Sequence, residues 1–316
     1  MFEERKISEK QREEYRRLGY WNDQTLLDCW EATVEKFPER EYVVDDRGFR
    51  YTYRQMDEAA ARVAAFLVKT GVRPRDTVSY QLPIWSEFAM LTIACFKAGA
   101  VAHPIAMSYE EKELVRSMNV TESRVYFGPT FFYKTDYENR ILTVREQIPT
   151  LKEIVLLDYT RERQHDLPVL REILETYEPL KKEDCVHTLT GEDVAVILCT
   201  SGTTGGTKGV MLTHDNVRYS EDTFNRELKL TEKDIMFMPA PLHHATGFHH
   251  AVIATMLHGA KLVLQQKYHC RAAIDLMNLE KCTYSMGATP FIYDILRELD
   301  TNGGALPHLK FYLCGG

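Results

Sequence analysis

Apolar positions along this chain alternate between the spacing of helices and that of strands from residue 51 onwards. RQMDEAAARVAAFLVKTG repeats apolar residues at helical spacing, VSYQLP is a strand-like run, and EFAMLTIACFKAG is helical again before the strand-like VAHPI. Strands separated by helices of this length are joined by crossovers, which favour a mostly parallel sheet covered on both faces. The pattern therefore predicts the α/β class, with ligands bound at the carboxyl ends of strands.

A weak internal similarity within the sequence predicts two similarly built parts. ACFKAGAVAHPI and TMLHGAKLVLQQ both have the pattern of a helix, a glycine and a strand, with Gly99 and Gly259 as the left-handed residues that end the helices. The stretch from about 159 to 192 is more charged, as is typical of a peripheral connection. We therefore expect a first α/β subdomain over 21–190, including that charged connection, and a second over 191–316.

The first 20 residues have a helix signature that is polar on most faces. Ser8 is the candidate N-cap and Gly19 the candidate stop, so we expect a helical surface appendage over 1–20. This charged start lacks the apolar stretch of a secretory signal, and no apolar run in the 316 residues approaches a membrane span. A cytoplasmic location is therefore expected.

Composition narrows the chemistry further. The chain is 44% hydrophobic and 27% charged, which is ordinary for a globular protein. Its net charge of −7, without a basic block, argues against nucleic acid as a partner. The seven cysteines are odd in number and never spaced CxxC, so neither a disulfide framework nor a thiolate zinc site is expected.

The most informative segment is TSGTTGGTKG at 200–209, between the strand-like runs VAVILC and VMLTH. Its glycines let backbone N–H groups point inward, its hydroxyls can donate to oxygen, and Lys208 adds a fixed positive charge, a set that suits a polyphosphate. A flexible surface turn is the competing interpretation, since such loops are common. A Walker A loop does not fit, because Thr207 and Gly209 replace its glycine and its magnesium-binding hydroxyl, and a strand follows.

A second candidate is the histidine-rich segment PLHHATGFHH at 241–250, which follows the strand-like run IMFMP. A neutral imidazole can donate a hydrogen bond to a carboxylate oxygen. For His243, His249 and His250 the competing interpretation is that they only decorate a helix start. Zinc is disfavoured, because adjacent histidines diverge on a helix and no carboxylate or thiolate shares their helical spacing.

Several of these segments together resemble the adenylate-forming, or AMP-binding, superfamily of acyl- and aryl-CoA synthetases, luciferases and peptide-synthetase adenylation domains. TSGTTGGTKGVMLTHDN resembles its signature loop, MPAPLHHATGF its second core motif, and GATPFIYD and LCGG its later landmarks. EKQREEYRRLGYW, PAPLHHATGF and GATPFIYDIL resemble bacterial short- and medium-chain acyl-CoA synthetases most closely. Most members carry proline at the position of Thr207, a departure that affects the stiffness of the loop rather than its charge.

The resemblance covers residues from about 7 to 316 and implies the N-terminal domain of the acyl-CoA synthetase-like fold, with two similar layered α/β subdomains and no small C-terminal domain. It implies an ATP-dependent ligase that activates a short- or medium-chain fatty acid, or a small cyclic or aryl acid, as an acyl-adenylate. Coenzyme A would then accept the acyl group, and Mg²⁺ would bridge the phosphate oxygens. The alternatives are a ligase that loads a carrier protein, or a nucleotide- or acid-binding module without turnover.

The resemblance also assigns site residues. The ATP phosphates would be held by Thr200, Ser201, Gly202, Thr203, Thr204, Gly205 and Lys208, and the adenine-side turn would start at Gly315 and Gly316. His244 would contact the acyl carboxylate, so His244 and Lys208 are the candidate catalytic residues. The acyl pocket would be lined by His244, Gly247, Phe248, Met286, Gly287, Thr289 and Phe291. Ordinary core packing is the alternative for Phe248, Met286 and Phe291, and no metal ligand is assigned.

Some motifs of the superfamily have no match after Lys208: the tyrosine–threonine–glutamate motif, the ribose-binding aspartate, the hinge residue and the near-C-terminal lysine. We therefore expect the chain to be the front part of a longer enzyme, and to be weakly active or inactive in adenylation by itself. An exposed edge at the strand-like run FYLC would favour instability or association. The expected partners are therefore the acid, ATP and coenzyme A, together with a second copy of the chain in a homodimer.

Overall fold

The computed structural model describes residues 7–200 and 208–315. Its strands, in chain order, are β1 Glu41–Asp45, β2 Arg50–Thr52, β3 Thr77–Tyr80, β4 Val101–Pro104, β5 Val125–Pro129, β6 Phe131–Phe132, β7 Thr135–Asp136, β8 Glu153–Leu157, β9 Val194–Thr200, β10 Lys208–Thr213, β11 Ile235–Met238, β12 Lys261–Leu264, β13 Tyr284–Gly287 and β14 Phe311–Cys314.

The α-helices are α1 Glu9–Arg17, α2 Leu26–Lys36, α3 Tyr53–Lys69, α4 Ser86–Lys97, α5 Glu111–Val120, α6 Tyr137–Val144, α7 Leu170–Thr176, α8 His214–Glu227, α9 Ala254–His258, α10 Cys270–Leu279 and α11 Thr289–Asn302. Short 3₁₀ helices cover Arg145–Gln147 and Lys182–Asp184. A π-helix, Thr246–Ile253, runs directly into α9. No helix of the described ranges is long and apolar enough to cross a bilayer.

Packing divides the chain into two compact units that are interleaved in sequence. Unit 1 comprises Met1–Cys29, Glu58–Leu82 and Leu91–Ser220. Unit 2 comprises Trp30–Asp57, Pro83–Met90 and Glu221–Gly316.

Unit 1 is built on a six-stranded sheet in the order β10-β9-β4-β3-β5-β8. Every neighbouring pair is parallel except β9 and β10, which form an antiparallel hairpin at one edge. The strands β3, β4 and β5 are buried along their whole length, as expected of a sheet covered on both faces. An apolar core around Leu114, Tyr126 and Ile154 packs α5 and α6 against this sheet.

Unit 2 has its own six-stranded sheet, in the order β14-β13-β11-β12-β1-β2. Again only the edge pair, β1 with β2, is antiparallel. Its core includes Phe237, Val263 and Ile274, with Ile295 of α11 packed beside them. The two mostly parallel sheets confirm the predicted α/β class and the expectation of two similarly built parts.

The sequential boundaries predicted at 21–190 and 191–316 differ from this division. Strand β9, expected to open the second part, pairs with β4 through Ala102 and Val196 and so completes the sheet of unit 1. Conversely, β1 pairs with β12 through Val43 and Leu262 and belongs to unit 2. Crossover connections allow strands distant in sequence to become neighbours, so the order along the chain does not fix which sheet a strand joins.

Helix ends follow the predicted signals closely. Ser8 caps α1 in a complete capping box with Gln11, and Gly19 follows the helix with a φ of 73°. Helix α1 has no buried residue, as a surface appendage requires, yet Arg12 and Arg16 both pair with Glu192 of unit 1. Gly99 and Gly259 have φ values of 66° and 81°, the left-handed conformation predicted for both.

Candidate functional site

The base of the predicted phosphate loop is the β9–β10 hairpin of unit 1. Lys208 lies opposite Thr200 in the register of the two strands, and it is exposed. The continuation as strand β10 confirms the distinction from a Walker loop, whose lysine opens a helix. The hairpin therefore places Lys208 at the base of the loop, beside Thr200.

Part of the predicted site lies outside the described residues: Ser201, Gly202, Thr203, Thr204, Gly205 and Gly316. Thr200 is the last residue of β9. The proposed phosphate contacts of this set stay predictions.

A buried polar cluster holds the end of β9. His103 of β4 is fully buried, with Nδ1 2.7 Å from Ser79 Oγ and Nε2 3.0 Å from Ser117 Oγ. Nε2 also lies 3.4 Å from Sγ of Cys199, the residue before Thr200. Burial lowers the pKa of His103 to about 3 and raises the pKa of the Cys199 thiol. The pair is thus neutral, and it anchors the strand rather than forming a reactive thiolate.

The histidine-rich segment of unit 2 begins with a tight turn after β11. His244 N donates to Pro241 O at 3.3 Å, and Phe248 N donates to His244 O at 2.8 Å. The His244 side chain is exposed, and its Nδ1 accepts a hydrogen bond from Thr246 N at 3.4 Å. A neutral ring held in this way carries its proton on Nε2, which can donate to a carboxylate.

Gly247 is required by this turn. A Cβ on Gly247 would lie 2.4 Å from Pro241 O and 2.6 Å from Leu242 Cα, both backbone atoms that cannot swing aside. His243, beside it, is largely buried, and burial followed by the neighbouring His244 lowers the pKa of His243 to about 4. His243 is therefore uncharged at neutral pH.

His249 and His250 are not merely exposed residues at the start of a helix, because both side chains contact a buried carboxylate. Their Nδ1 atoms lie 3.3 Å from Oε1 and 3.0 Å from Oε2 of Glu221, a fully buried carboxylate on α8. Sequence reasoning missed Glu221. Its only sequence signal is a position at helical spacing with His214, Val217 and Arg218, which are buried as well.

The other predicted pocket residues of unit 2 lie at the carboxyl ends of β13 and β14. A Cβ on Gly287 would lie 2.8 Å from Tyr312 Oη and 2.9 Å from the Phe291 ring, so these aromatic groups close over the glycine. Gly315 N donates to Gly287 O at 3.3 Å. Met286 precedes Gly287, the last residue of β13, and Thr289 is the first residue of α11.

Parallel strands bring their carboxyl ends to one edge of the sheet. Strand β11 leads into the His244 turn, β13 into Gly287 and β14 into Gly315. The predicted acid- and adenine-side residues of unit 2 therefore gather at the edge where α/β sheets bind ligands. Phe248 is fully buried, with its ring 6.4 Å from Phe88 in an edge-on arrangement, as the core-packing alternative predicts.

Across 7–200 and 208–315 there is no group of three or more His, Cys, Asp or Glu side chains arranged to hold a metal ion. Glu221 and its two histidines are therefore described as a hydrogen-bonded cluster.

Comparisons with known proteins agree with these motifs. The AMP-binding enzyme family model matches residues 30–316. The chain is 40% identical over 310 residues to the medium-chain fatty-acid–CoA ligase of Escherichia coli strain K12, covering 98% of this chain and 54% of that protein.

Two solved structures show the same fold. Apo MbtA of Mycobacterium smegmatis has a TM-score of 0.85 at 22% identity, and the match covers 98% of this chain and 55% of the MbtA chain. The inhibitor-bound N-terminal domain of FACL13 from Mycobacterium tuberculosis has a TM-score of 0.82 at 21% identity, and the match covers 93% of this chain and 70% of the FACL13 chain. This likeness confirms the predicted fold of an adenylate-forming N-terminal domain. The chain spans about half the length of the Escherichia coli ligase. With nearly its whole length matched by one family model, the chain belongs to the AMP-binding enzyme family.

Proposed function

We propose that this protein is an AMP-forming ligase that activates a medium-chain fatty acid with ATP and passes the acyl group to coenzyme A. The observation that carries the proposal is the 40% identity to the Escherichia coli medium-chain ligase over 310 residues, an alignment that spans both the Lys208 and the His244 segments. The position of both segments at carboxyl ends of strands supports it.

The proposed reaction has two displacements. A carboxylate oxygen of the acid attacks the α-phosphorus of ATP; the new O–P bond forms as the bond to pyrophosphate breaks, and pyrophosphate leaves. The coenzyme A sulfur then attacks the acyl carbon, the thiol proton is released, and the C–O bond to AMP breaks. The first step depends mainly on positioning and on stabilising charge on the phosphoryl oxygens.

Lys208 is proposed to stabilise that phosphate charge. Its place at the base of the loop puts an exposed ammonium group beside the proposed polyphosphate site. Bound magnesium would neutralise further phosphate charge. No protein ligand is assigned to it, and Lys208 contributes its charge directly to the nucleotide.

His244 is proposed to orient the acid. With Nδ1 occupied by the Thr246 amide, Nε2 is the donor available to a carboxylate oxygen. A donor fixed by the tight turn at Gly247 would hold the acid while its other oxygen meets phosphorus, which is a positioning contribution.

Replacing Lys208 tests the proposal at the level of binding. We expect Lys208→Ala to weaken ATP binding about ten- to a hundred-fold, the loss typical of a charge-assisted contact. Isothermal titration of ATP–Mg²⁺ into the purified chain measures it, with Lys233→Ala as the control, since Lys233 is exposed on a turn of unit 2. ATP affinity unchanged by Lys208→Ala, or absent from the wild type at millimolar ATP, would contradict the proposed role.

The acyl acceptor is tested separately. The proposal predicts slow formation of an octanoyl thioester with free coenzyme A, detected by mass spectrometry after prolonged incubation with ATP, Mg²⁺ and octanoate. A thioester found only on the phosphopantetheine of a carrier protein would instead favour the carrier-loading ligase. Binding of ATP and octanoate without either product would favour the binding-module alternative.

A further inference from the structure

The helix that follows His244 has a wide, uncommon geometry. From Thr246 to Ile253 it is a π-helix, and at its end the Ala254 N–H reaches back to His249 O. Such turns are rare and occur frequently at functional sites. Because the α-helix is the usual alternative, contacts from outside the helix must select the π-register here.

Three residues on one face of α8 supply such contacts. Glu221 accepts hydrogen bonds from the Nδ1 atoms of both His249 and His250. Phe224 stacks on the His250 ring, with centroids 4.4 Å apart and planes 28° apart. Asn225 Nδ2 donates to Ala254 O at 3.0 Å, at the point where the π-helix ends. These positions follow the i, i+3, i+4 spacing of one helical face.

A single carboxylate holding two successive rings is itself selective for the π-register. In an α-helix, with roughly 3.6 residues per turn, successive side chains diverge by about 100°. The i→i+5 bonding of a π-helix puts more residues into each turn, so neighbouring side chains diverge by less. This smaller divergence favours simultaneous contact of His249 and His250 with the two oxygens of Glu221.

The charge of Glu221 suits the arrangement. Its side chain is fully buried, and although burial by itself raises the pKa of Glu221, the hydrogen bonds from His249 and His250 outweigh it and the pKa is lowered. The carboxylate therefore accepts both hydrogen bonds, and each ring carries a proton on Nδ1. Within the described ranges, His249 Nε2 is buried without a hydrogen-bond partner.

We propose that Glu221 is a positioning residue for the acid-binding segment: by holding His249 and His250 side by side, it keeps the helix after His244 in its π-register. The helix start is tied to His244 through the Phe248 amide, which donates to His244 O at 2.8 Å. A change of register would therefore displace the backbone that carries His244. The inference rests on the proposed function only in its link to acid binding.

The experiment compares Glu221→Gln with a matched control, Glu227→Gln. Both lie on α8, but the Glu227 side chain is 71% exposed, whereas that of Glu221 is fully buried. Hydrogen exchange followed by mass spectrometry reports the register through amides 246–258, with those of α10, Cys270–Leu279, as the internal reference. Isothermal titration with octanoate and with ATP reports the two binding events separately.

We expect Glu221→Gln to accelerate exchange over 246–258 about ten-fold and to weaken octanoate binding by a similar factor, as the loss of a charged hydrogen-bond acceptor predicts. Exchange over α10 and ATP affinity stay at wild-type values, because neither depends on the Glu221 contacts. Glu227→Gln changes none of these quantities.

Unchanged exchange over 246–258 in a folded Glu221→Gln protein would overturn the proposal. Faster exchange with unchanged octanoate affinity would overturn its link to acid binding. If the wild type binds neither ATP nor octanoate, the proposed function fails, while the exchange data still decide the register. Should Glu221→Gln not fold, His249→Asn and His250→Asn are judged by the same exchange criterion, since each removes one imidazole from the carboxylate.

Discussion

At the scale of single residues, burial of His103 makes stability depend on pH. In the folded chain the pKa of His103 is lowered to about 3, whereas an unfolded histidine titrates near 6.5. Protons therefore bind the unfolded state first as the pH falls. The stabilisation is complete above about pH 6.5 and is lost as the pH falls towards the folded value, by roughly 1.4 kcal/mol per pH unit.

Urea unfolding between pH 7 and pH 4 measures this slope. His103→Asn is expected to reduce the slope by about 1.4 kcal/mol per unit, although it also destabilises the protein at pH 7 by about 1–3 kcal/mol through its lost hydrogen bonds. His308→Asn is the control, since His308 is exposed. A slope that survives His103→Asn unchanged would assign the acid sensitivity to other groups, such as His214, whose pKa burial lowers to about 4.

At the scale of elements, the turn that carries His244 depends on the missing side chain of Gly247. A Cβ there would press on the backbone of Pro241 and Leu242 at 2.4 and 2.6 Å, so the turn must shift. We expect Gly247→Ala to cost about 1–3 kcal/mol of stability, as overpacking does, and to weaken octanoate binding.

Urea unfolding and octanoate titration check the Gly247→Ala variant. Gly315→Ala is a suitable stability control, because among the described residues its Cβ would meet only Met286 Cε, at 3.9 Å. The unfolding free energy of Gly315→Ala should stay within about 0.5 kcal/mol of the wild type. Equal stability of Gly247→Ala and Gly315→Ala would show that the turn does not require Gly247.

Elements with a strong apolar period were predictable, whereas those held by polar contacts were not. The helical spacing in RQMDEAAARVAAFLVK predicts α3, and Ser8 marks the start of α1, because both signals are local. The buried face of α8 includes the polar residues His214, Arg218, Glu221 and Asn225. A pattern of hydrophobic residues therefore does not reveal that this face is buried. The π-register after His244 depends on Glu221, 28 residues before His249, and no local pattern contains that information.

At the scale of the whole molecule, the order of elements along the chain did not predict that the two units are interleaved in sequence. Motifs such as TSGTTGGTKG and PLHHATGF predict where chemistry lies, because each needs its own residues next to one another. Sheet membership depends on pairings such as Val43 with Leu262, which join distant segments. The motifs could therefore be located from the sequence, whereas the membership of strands in each sheet could not.

The proposed medium-chain specificity is tested most directly by a titration of sulfamoyladenosines, stable analogues of an acyl-adenylate, that carry butanoyl, octanoyl or hexadecanoyl chains. We expect one octanoyl analogue to bind per chain, on the order of a hundred-fold tighter than the butanoyl analogue because four more methylene groups are buried. It should also bind more tightly than the hexadecanoyl analogue. Equal affinity for all three analogues, or no binding at millimolar concentration, would contradict this specificity.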